Sequence, residues 1–515
     1  MTLYLDVGVT GIQAWIFRSP TLAATRGASS MLGQATDRSS WAKLPAGWEW
    51  NEDAGNVSGV VSLRRQSSEG AEHAHAGSIA RHVIAQLRAA LPGAALTAEW
   101  GEWESYAAFR NAAVTALQGG RGRQQPADVS TVMALQSLPA VREDPLAQPC
   151  SECQQDPASP DTAADLPAKI KDVEVANTCR DCQLRLTHAD KKGATQAWAL
   201  HSVWQRLQER AADKTLVAAE SLSNLAALGR SRTTARADDQ MTRIAVLVAD
   251  GNAVGQFVQQ ALRRKLDKSK LAVAIGGATL DALLDATVET AFVPGADGVV
   301  SVAVLPHLVG GDDVNVSISA HLAWDFALTF MDRFERRFAT YWDDSELKQV
   351  TPPTMSVGIA IHHMKSPIQT AMEEATQALH EAKTSGSGAR IAWRDEFFGV
   401  PASGWLPPKT ITDYRRIVDH ARAIASLPAA HRAVLSQLAS EILDRHAGQP
   451  DAIAEGELGG IRETARKQGT TDSIEVAMRN GGVDLAPHFR LHNLLWALQI
   501  ARDVEPTADA KEGKR

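Results

Sequence analysis

The sequence LVGGDDVNVS, residues Leu308–Ser317, decides the fold. It follows the apolar run Val299–Leu305 and continues into the alternating apolar residues Val314–Ile318. Two apolar runs joined by Gly and Asp predict a β-hairpin with a tight turn. The turn would present the carboxylates of Asp312 and Asp313 at the edge of a sheet. Because Gly and Asp are common in solvent-exposed turns, the turn alone does not establish a functional site.

A third acid follows an earlier strand pattern. The sequence RIAVLVAD, residues Arg243–Asp250, predicts a buried strand with an acid at its end, followed by a helix from Ala253 to Leu266. If this strand pairs with the hairpin, the carboxylates of Asp250, Asp312 and Asp313 converge. Their mutual repulsion is offset most naturally by hard divalent cations. The sequence therefore predicts a site for two Mg²⁺ or Mn²⁺ ions.

Two such ions about 4 Å apart can activate an attacking 3′-hydroxyl and stabilise a departing pyrophosphate. Gly310 and Gly311 permit positive φ angles and let a bulky triphosphate approach the backbone. A carbonyl beside Asp250, with Gly251 next in the chain, would complete the site. These residue types therefore predict nucleotidyl transfer.

The order of elements after Arg243 is strand-helix-strand-strand-helix-strand, apart from a helical insertion near Ala278–Thr290, and this order is typical of ferredoxin-like folds. The motifs in it resemble, in the same order, the polymerase/cyclase palm of the large subunit of type III CRISPR effector complexes, which is related to the GGDEF nucleotide cyclases. The four motifs are ADGNAVG (249–255), GGDD (310–313), MSVGIA (355–360) and ALHEAK (378–383).

The beginning of the chain resembles the first, degenerate palm of the same subunit. The resemblance lies in the sequences YLDVGVTGIQAWIF (4–17) and RGASSML (26–32). Asp6 stands where a palm would place its first acid, but no Gly-Gly-Asp-Asp partner precedes residue 243. We therefore predict that Asp6 is not catalytic and that the first palm is structural or contacts substrate. Many relatives begin with an HD nuclease domain. Because the palm pattern already opens near Asp6, we expect no such domain and no DNase activity.

The resemblance implies that the chain joins ATP molecules into cyclic oligoadenylates that signal antiviral effectors. It also implies that Lys383, at a helix end, binds a β- or γ-phosphate, although a lysine there equally complements the helix dipole. Ser356 is a weaker candidate for a contact with the nucleotide. The partners implied are the other subunits of the complex, and through them guide RNA and target RNA.

All four cysteines fall in two Cys-x-x-Cys pairs, Cys150/Cys153 and Cys179/Cys182. Four thiolates at this spacing are typical of a structural Zn²⁺ site with no open position for catalysis. Disulfides or a redox pair are the alternatives, and both are uncommon in a cytosolic chain without a thioredoxin-like context.

The chain has 515 residues and a net charge of −7, which does not indicate a nucleic-acid-binding protein, although a local basic groove remains compatible with it. No apolar stretch is expected to cross a membrane, and we predict a cytoplasmic protein. The predicted fold class is α+β with five parts. These are a first palm (1–130), a zinc-ribbon insertion (131–195), a helical linker (196–242), a catalytic palm (243–398) and a C-terminal helical domain (399–515).

Two other functions are compatible with the sequence. A stand-alone cyclase would make a different cyclic nucleotide, for example with guanine, because the shape of the base pocket is not encoded in these motifs. A catalytically silent scaffold would bind guide or target RNA. The intact acids argue against the scaffold, since it has little reason to keep like charges together.

Overall fold

The computed structural model describes most of the chain. The described residues are 1–41, 43–54, 59–66, 72–118, 130–134, 148–159, 169–170, 173–174, 177–189, 201–211, 214–228, 242–264, 268–295, 298–341, 350–396, 408–479 and 485–504.

The first palm is built on a five-stranded sheet with the order β2-β3-β1-β4-β5. Strand β1 lies in the middle and pairs antiparallel with β3 and β4. The strands are β1 (Thr2–Thr10), β2 (Glu49–Trp50), β3 (Val60–Gln66), β4 (Ala95–Trp103) and β5 (Ser130–Ala134). The helices are α1 (Ile12–Ile16), α2 (Leu22–Thr36), α3 (Glu72–Ala90) and α4 (Tyr106–Gln118).

Between the palms lie a cysteine-bearing region and a short connecting region. The first holds β6 (Lys169–Ile170), β7 (Val173–Glu174) and α5 (Arg180–Ala189), and the second holds α6 (His201–Ala211), β8 (Thr215–Ala218) and α7 (Leu222–Ala227). The predicted helical linker thus also contains a strand. Its alternating exposed and buried residues pair in parallel with Val299–Val302.

The second palm has a six-stranded sheet with the order β12-β13-β9-β14-β15-β16. Its first four strands are antiparallel neighbours in the same order as those of the first palm, which confirms the predicted α+β fold with two palms. The strands of this sheet are β9 (Arg243–Asn252), β12 (Val304–Gly310), β13 (Asp313–Ser319), β14 (Thr354–His363), β15 (Arg390–Asp395) and β16 (Lys409–Thr410). Two further strands, β10 (Phe292–Pro294) and β11 (Val299–Val302), lie in a separate sheet with β8. The helices are α8 (Val254–Arg263), α9 (Lys268–Thr290), α10 (Ala323–Tyr341) and α11 (Ile368–Thr384).

The predicted hairpin strand Val299–Leu305 is wrong in its bounds, because the chain changes sheets at Ala303. Strand β11 belongs to a three-stranded sheet with β8 and β10, whereas β12 begins at Val304. The amide of Ala303 donates to the carbonyl of Ala291 at 2.8 Å. The apolar run is therefore two short strands in different sheets, which a periodicity of two cannot separate.

Helix α9 differs from the expectation that no segment is apolar enough to cross a membrane. Within Lys270–Thr290, an 18-residue stretch has a mean hydropathy of 1.5, and 56% of that stretch is buried inside the protein. On this helix Asp281 and Asp285 pair with Arg210, and Asp285 also accepts from Arg337 at 2.7 Å. Burial against α10 and these ion pairs are typical of the core helix of a globular protein.

In the described residues 408–479 and 485–504, five α-helices follow the second palm and share its hydrophobic core. They are α12 (Ile411–Ile424), α13 (Ala429–Arg445), α14 (Gly459–Lys467), α15 (Thr471–Arg479) and α16 (Pro487–Ile500). Trp496 of α16 packs edge-on against Trp393 of β15, with 5.6 Å between ring centroids, and Trp393 packs in the same way against Trp324 at 5.1 Å. The C-terminal helices are thereby fastened to the sheet that carries the acidic turn.

We expect His307 to make the protein less stable in mild acid. Its ring is buried beside Ser317, with 2.7 Å from Nε2 to Oγ, and burial followed by the charge of Arg26 lowers its pKa to about 3. Below about pH 6.5 the unfolded chain binds a proton at His307, whereas the folded protein does not. The free energy of unfolding therefore decreases as the pH falls below about 6.5. Between about pH 7.5 and 5.5 this loss is about 1.4 kcal/mol.

Urea unfolding at these two pH values tests this expectation. In His307→Gln the loss of stability between the two should be smaller by that amount, whereas His75→Gln, at an exposed position on α3, should behave as wild type. An identical pH dependence in wild type and His307→Gln would contradict the assignment.

Candidate active site

Three acids meet at one end of the second palm's sheet. Asp250 lies near the end of β9, Asp312 lies in the hairpin turn, and Asp313 is the first residue of β13. Because Val314 pairs with Ala249 across the two strands, Asp313 and Asp250 lie at adjoining positions. The structure thus brings together the three carboxylates that the sequence predicts at this edge.

The carboxyl groups disturb one another's ionisation. Burial, then the charges of Asp250 and Asp313, raise the pKa of Asp312 to about 7. Burial, then the charge of Asp250, raise the pKa of Asp313 to about 6. The raised pKa values mean that the positive groups nearby do not balance the negative charge of these carboxylates. Such clusters are typical of cation sites and catalytic sites.

The backbone of the turn explains its glycines. Gly310 and Asp313 form the last pair of the hairpin, so Gly311 and Asp312 are the two loop residues. Gly311 has φ of +61°, and a glycine at the first loop position favours a type II′ turn. A Cβ placed on Gly310 or Gly311 would meet no atom within 4 Å, so the face of the turn is open.

Gly251 brings β9 against the turn. A Cβ at this position would lie 2.9 Å from Oδ2 of Asp312 and 2.4 Å from Cγ2 of Val254. Any side chain here would push Asp312 away. The carbonyl oxygen of Gly251 accepts a hydrogen bond from Lys383 at 2.9 Å.

Lys383 is the cation that the structure places at the acids. It lies in the last turn of α11, and its Nζ forms an ion pair with the carboxylate of Asp250. The sequence predicted a phosphate contact for this lysine. Its position beside Asp250 and the open turn is compatible with that role, which stays a prediction.

Ser356 lies deeper than expected for a nucleotide contact. Its side chain is fully buried, and its hydroxyl accepts from Asn252 Nδ2 at 2.9 Å and from the amide of Arg390 at 3.3 Å. Asn252 also donates to the hydroxyl of Thr354 at 2.9 Å and to the carbonyl of Gly388 at 3.0 Å. Ser356 therefore supports the strand end that carries Asp250, and it has no exposed surface for a base.

The first palm contributes a contact that the sequence did not reveal. Nε2 of Gln13, on α1, donates to Oδ1 of Asp313 at 3.1 Å. Gln13 lies within the GIQ sequence of the chain's opening, but 300 positions separate it from Asp313. No local pattern links two residues so far apart, and only the arrangement of the two palms brings them together.

Asp6 of the first palm is held by a different set of neighbours. It is buried and accepts from the hydroxyls of Ser62 and Tyr106, the latter at 2.8 Å. Arg110 bridges Asp6 at 3.1 Å and Glu99 at 2.8 Å. The guanidinium supplies the positive charge that a cation would otherwise bring, and the non-catalytic role of Asp6 stays a prediction.

The four cysteines form a buried cluster that could bind zinc. Their sulfur atoms all lie within 4.8 Å of one another, with 3.9 Å between those of Cys153 and Cys179, and none is in a disulfide. Four sulfurs at 2.3 Å from a tetrahedral Zn²⁺ lie about 3.8 Å apart, so the cluster fits this ion. Hydrogen bonds from the other three thiols lower the pKa of Cys153, which favours the thiolate that a metal binds.

Comparisons with known proteins agree with this geometry. Residues 243–392 match the family model of the second palm domain of Cas10/Cmr2. A chain in the crystal structure of the Csm1–Csm4 cassette in complex with cA4 matches with a TM-score of 0.50 and 12% sequence identity. The match covers 97% of this protein and 70% of the chain in the crystal structure. Csm1 of T. onnurineus matches with a TM-score of 0.50 and 13% sequence identity. This match covers 97% of this protein and 69% of Csm1. No curated protein matches the chain in sequence.

The family match covers the acidic turn, β9 and most of the second palm, and the structural likeness extends over 97% of the chain. At these identities the likeness to solved structures shows the fold. The resemblance predicted from the motifs is thereby confirmed. The chain is thus Cas10-like: residues 243–392 are similar to the second palm domain of Cas10/Cmr2, and the fold is similar to that of Csm1.

Proposed function

We propose that the protein is a metal-dependent nucleotidyltransferase that makes cyclic oligoadenylates from ATP within a type III CRISPR complex. The observation that carries this proposal is the cluster of Asp250, Asp312 and Asp313, where two carboxyl pKa values are raised in a Cas10/Cmr2-type palm. A structure of the similar Csm1–Csm4 cassette was obtained with cA4, a product-like ligand for such a reaction.

The donor set fits hard cations. Three carboxylates and the carbonyl of Gly251 offer the oxygen ligands that Mg²⁺ and Mn²⁺ prefer, and charge repulsion among the acids favours a cation over protons near neutral pH. When bound, a pair of such ions supplies Lewis-acid stabilisation of the attacking and leaving oxygens. Asp250, Asp312 and Asp313 would hold them.

The proposed reaction joins two ATP molecules without a covalent enzyme intermediate. The 3′-hydroxyl oxygen of one ATP bonds to the α-phosphorus of the other, that phosphorus loses its bond to pyrophosphate, and the hydroxyl proton leaves to solvent. The chain's own residues position the reactants. The open face at Gly310 and Gly311 admits the triphosphate. The ammonium of Lys383 then gives up its ion pair with Asp250 and pairs with a phosphate oxygen. Ring closure is the same reaction within one oligoadenylate, in which the 3′-hydroxyl at one end attacks the α-phosphorus at the other and releases pyrophosphate.

We also propose that the protein is a subunit of a complex. By its likeness to Csm1 in fold, we propose that it assembles with other effector subunits, through which guide RNA and target RNA reach it. The proposed partner surface lies on the C-terminal helices α12–α16, where Val434 and Val476 are exposed apolar residues. The predicted cytoplasmic location belongs to the same proposal.

Incubation with labelled ATP or GTP and Mn²⁺, followed by mass analysis of the products, tests the proposal. Cyclic adenylates made by the wild type and not by Asp312→Asn would support it. Cyclic guanylates would instead favour a different cyclase. If no product forms even with partner subunits and target RNA present, a catalytically silent scaffold that binds guide or target RNA would be the better explanation.

A substitution at Gly251 should impair the reaction without touching an acid. The Cβ of Gly251→Ala would contact Asp312 and Val254 at the distances given above, so Asp312 must move by a sizeable fraction of an ångström. A misplacement of about 1 Å in a catalytic group costs about 100-fold in rate. We expect a loss of that order in the rate of product formation, measured from the release of pyrophosphate.

Gly276→Ala is the matched control, because a Cβ at that position on α9 meets no atom within 4 Å. It should retain full activity. Full activity in Gly251→Ala would show that the close approach of β9 to the turn is not required.

A further inference from the structure

One stretch of the first palm joins the cysteine cluster to the acidic turn. It runs from Gly11 through α1 to Gly27 in α2. Its first part contacts Asp313, and its later parts contact the two cysteine knuckles. These contacts involve different side chains at each end, so they can be tested separately.

The first knuckle, residues Cys150–Asp156, binds the residues that follow α1. Arg18 donates to Asp156 at 2.5 Å and to the sulfur of Cys153 at 3.5 Å. The hydroxyls of Ser19 and Thr21 both donate to Glu152. The side chains of Arg18 and Asp156 are 5% and 4% exposed, so this is a buried interface and not a surface contact.

The second knuckle holds α1 itself through Arg185, which lies three positions after Cys182 on α5. Arg185 is fully buried and donates to the carbonyls of Trp15 at 2.8 Å and Ile16 at 3.1 Å. Its guanidinium lies 4.5 Å from the centroid of the Trp15 ring. It thereby provides hydrogen-bond donors to two carbonyls at the C-terminal end of α1. A positive charge is favourable there because the helix dipole is negative at that end.

Helix α1 depends on these contacts for its position. It has only five residues, and no side chain caps its N-terminus. Helices much shorter than about 12 residues are marginal in water, so tertiary contacts must hold this one. At its N-terminal end Gln13 donates to Asp313, and at its C-terminal end Arg185 binds its carbonyls.

We propose that Gln13 is a positioning residue for Asp313, and that the metal-loaded cysteine cluster holds Gln13 in place through Arg185. This inference rests on the proposed function, because it assigns a cation-binding role to Asp313. The amide of Gln13 fixes one oxygen of that carboxylate and leaves the other for a cation. Groups that orient a metal ligand in this way are worth about 10-fold to 100-fold in metal affinity or activity.

The experiment measures Mn²⁺ binding to the full chain without nucleotide, by electron paramagnetic resonance. Gln13→Leu should weaken Mn²⁺ binding about 10-fold. Gln34→Leu, at an exposed position of α2, should bind as wild type does. In turnover assays Gln13→Leu should lower kcat and alter KM for ATP little, since Gln13 acts through Asp313 and not on the nucleotide.

The second part tests the link to the cysteines. Removing zinc with a chelator, or replacing Arg185 with lysine, should weaken Mn²⁺ binding by a similar factor. In the Gln13→Leu protein the same treatments should add little, because the contact through which they act is already gone. Circular dichroism checks that the palms remain folded.

The outcomes separate two failures. Equal Mn²⁺ binding by wild type and Gln13→Leu, or zinc removal whose effect adds fully to that of Gln13→Leu, would overturn this inference and leave the proposed function standing. Mn²⁺ binding that Asp312→Asn does not change would overturn the proposed function first.

Discussion

The variant Asp312→Asn should form product at least about a thousand-fold more slowly than the wild type. Asparagine keeps the shape of the side chain and its place in the turn between Gly311 and Asp313. It removes the negative charge that, in our proposal, binds a cation. Because the cation that it would hold acts on the reacting phosphate, its loss should lower kcat more than it raises KM.

The same variant should not be less stable than the wild type. Because burial and the neighbouring carboxylates raise the pKa of Asp312 to about 7, its ionised form disfavours the folded state at higher pH. The sign follows from the raised pKa: the folded protein binds the proton more tightly, so stability falls as pH rises from about 4 to 7. Asparagine removes this cost, and urea unfolding at about pH 8 should show a gain of about 1 kcal/mol or more.

Asp451→Asn serves as the control, since its side chain is 92% exposed. It should change neither activity nor stability measurably. A variant Asp312→Asn that is both inactive and much less stable would mean that the carboxylate supports the fold, and the activity loss would then say nothing about chemistry.

Local patterns predict the parts of this site that a single hairpin determines. The turn at Gly311 and the acids beside it follow from residue types that only a tight turn or a cation site favours. The convergence of Asp250 with them follows from the order of strands, because a ferredoxin-like sheet places the first and third strands side by side. The cysteine cluster follows from its spacing.

The remaining features depend on contacts between distant parts of the chain. The burial of Ser356 is set by Asn252 and the amide of Arg390, which its own strand pattern does not encode. The break at Ala303 exists because β8 offers a second sheet to the preceding residues. The contact of Gln13 with Asp313 requires both palms. Each is a tertiary effect that overrides or adds to local preference.

A second large effect is expected at Arg243, the first residue of β9. Its guanidinium donates to Asp395 at 2.7 Å and to Asp503 at 2.7 Å, and all three residues are at most 6% exposed. It therefore ties the strand of Asp250 to β15 and to the chain after α16. Arg243→Met would leave two carboxylates buried without their main partner. Breaking a buried ion pair on one side costs about 3–5 kcal/mol.

We expect this loss in the free energy of unfolding of Arg243→Met, measured in urea by the fluorescence of the buried cluster of Trp324, Trp393 and Trp496 and by circular dichroism. Arg336→Met is the matched control, because its guanidinium is 66% exposed and its ion pair with Asp332 should contribute less than about 1 kcal/mol. A loss as small as that of the control would show that the buried network is not needed.

The cause of the loss can be separated from the loss of packing. If uncompensated charge is responsible, adding Asp395→Asn and Asp503→Asn to Arg243→Met should restore a large part of the stability, because no buried carboxylate is then left without a partner. If lost packing is responsible, the triple variant should be less stable than Arg243→Met alone. Since Arg243 and Asp250 share one strand, recovery of stability should also bring recovery of product formation.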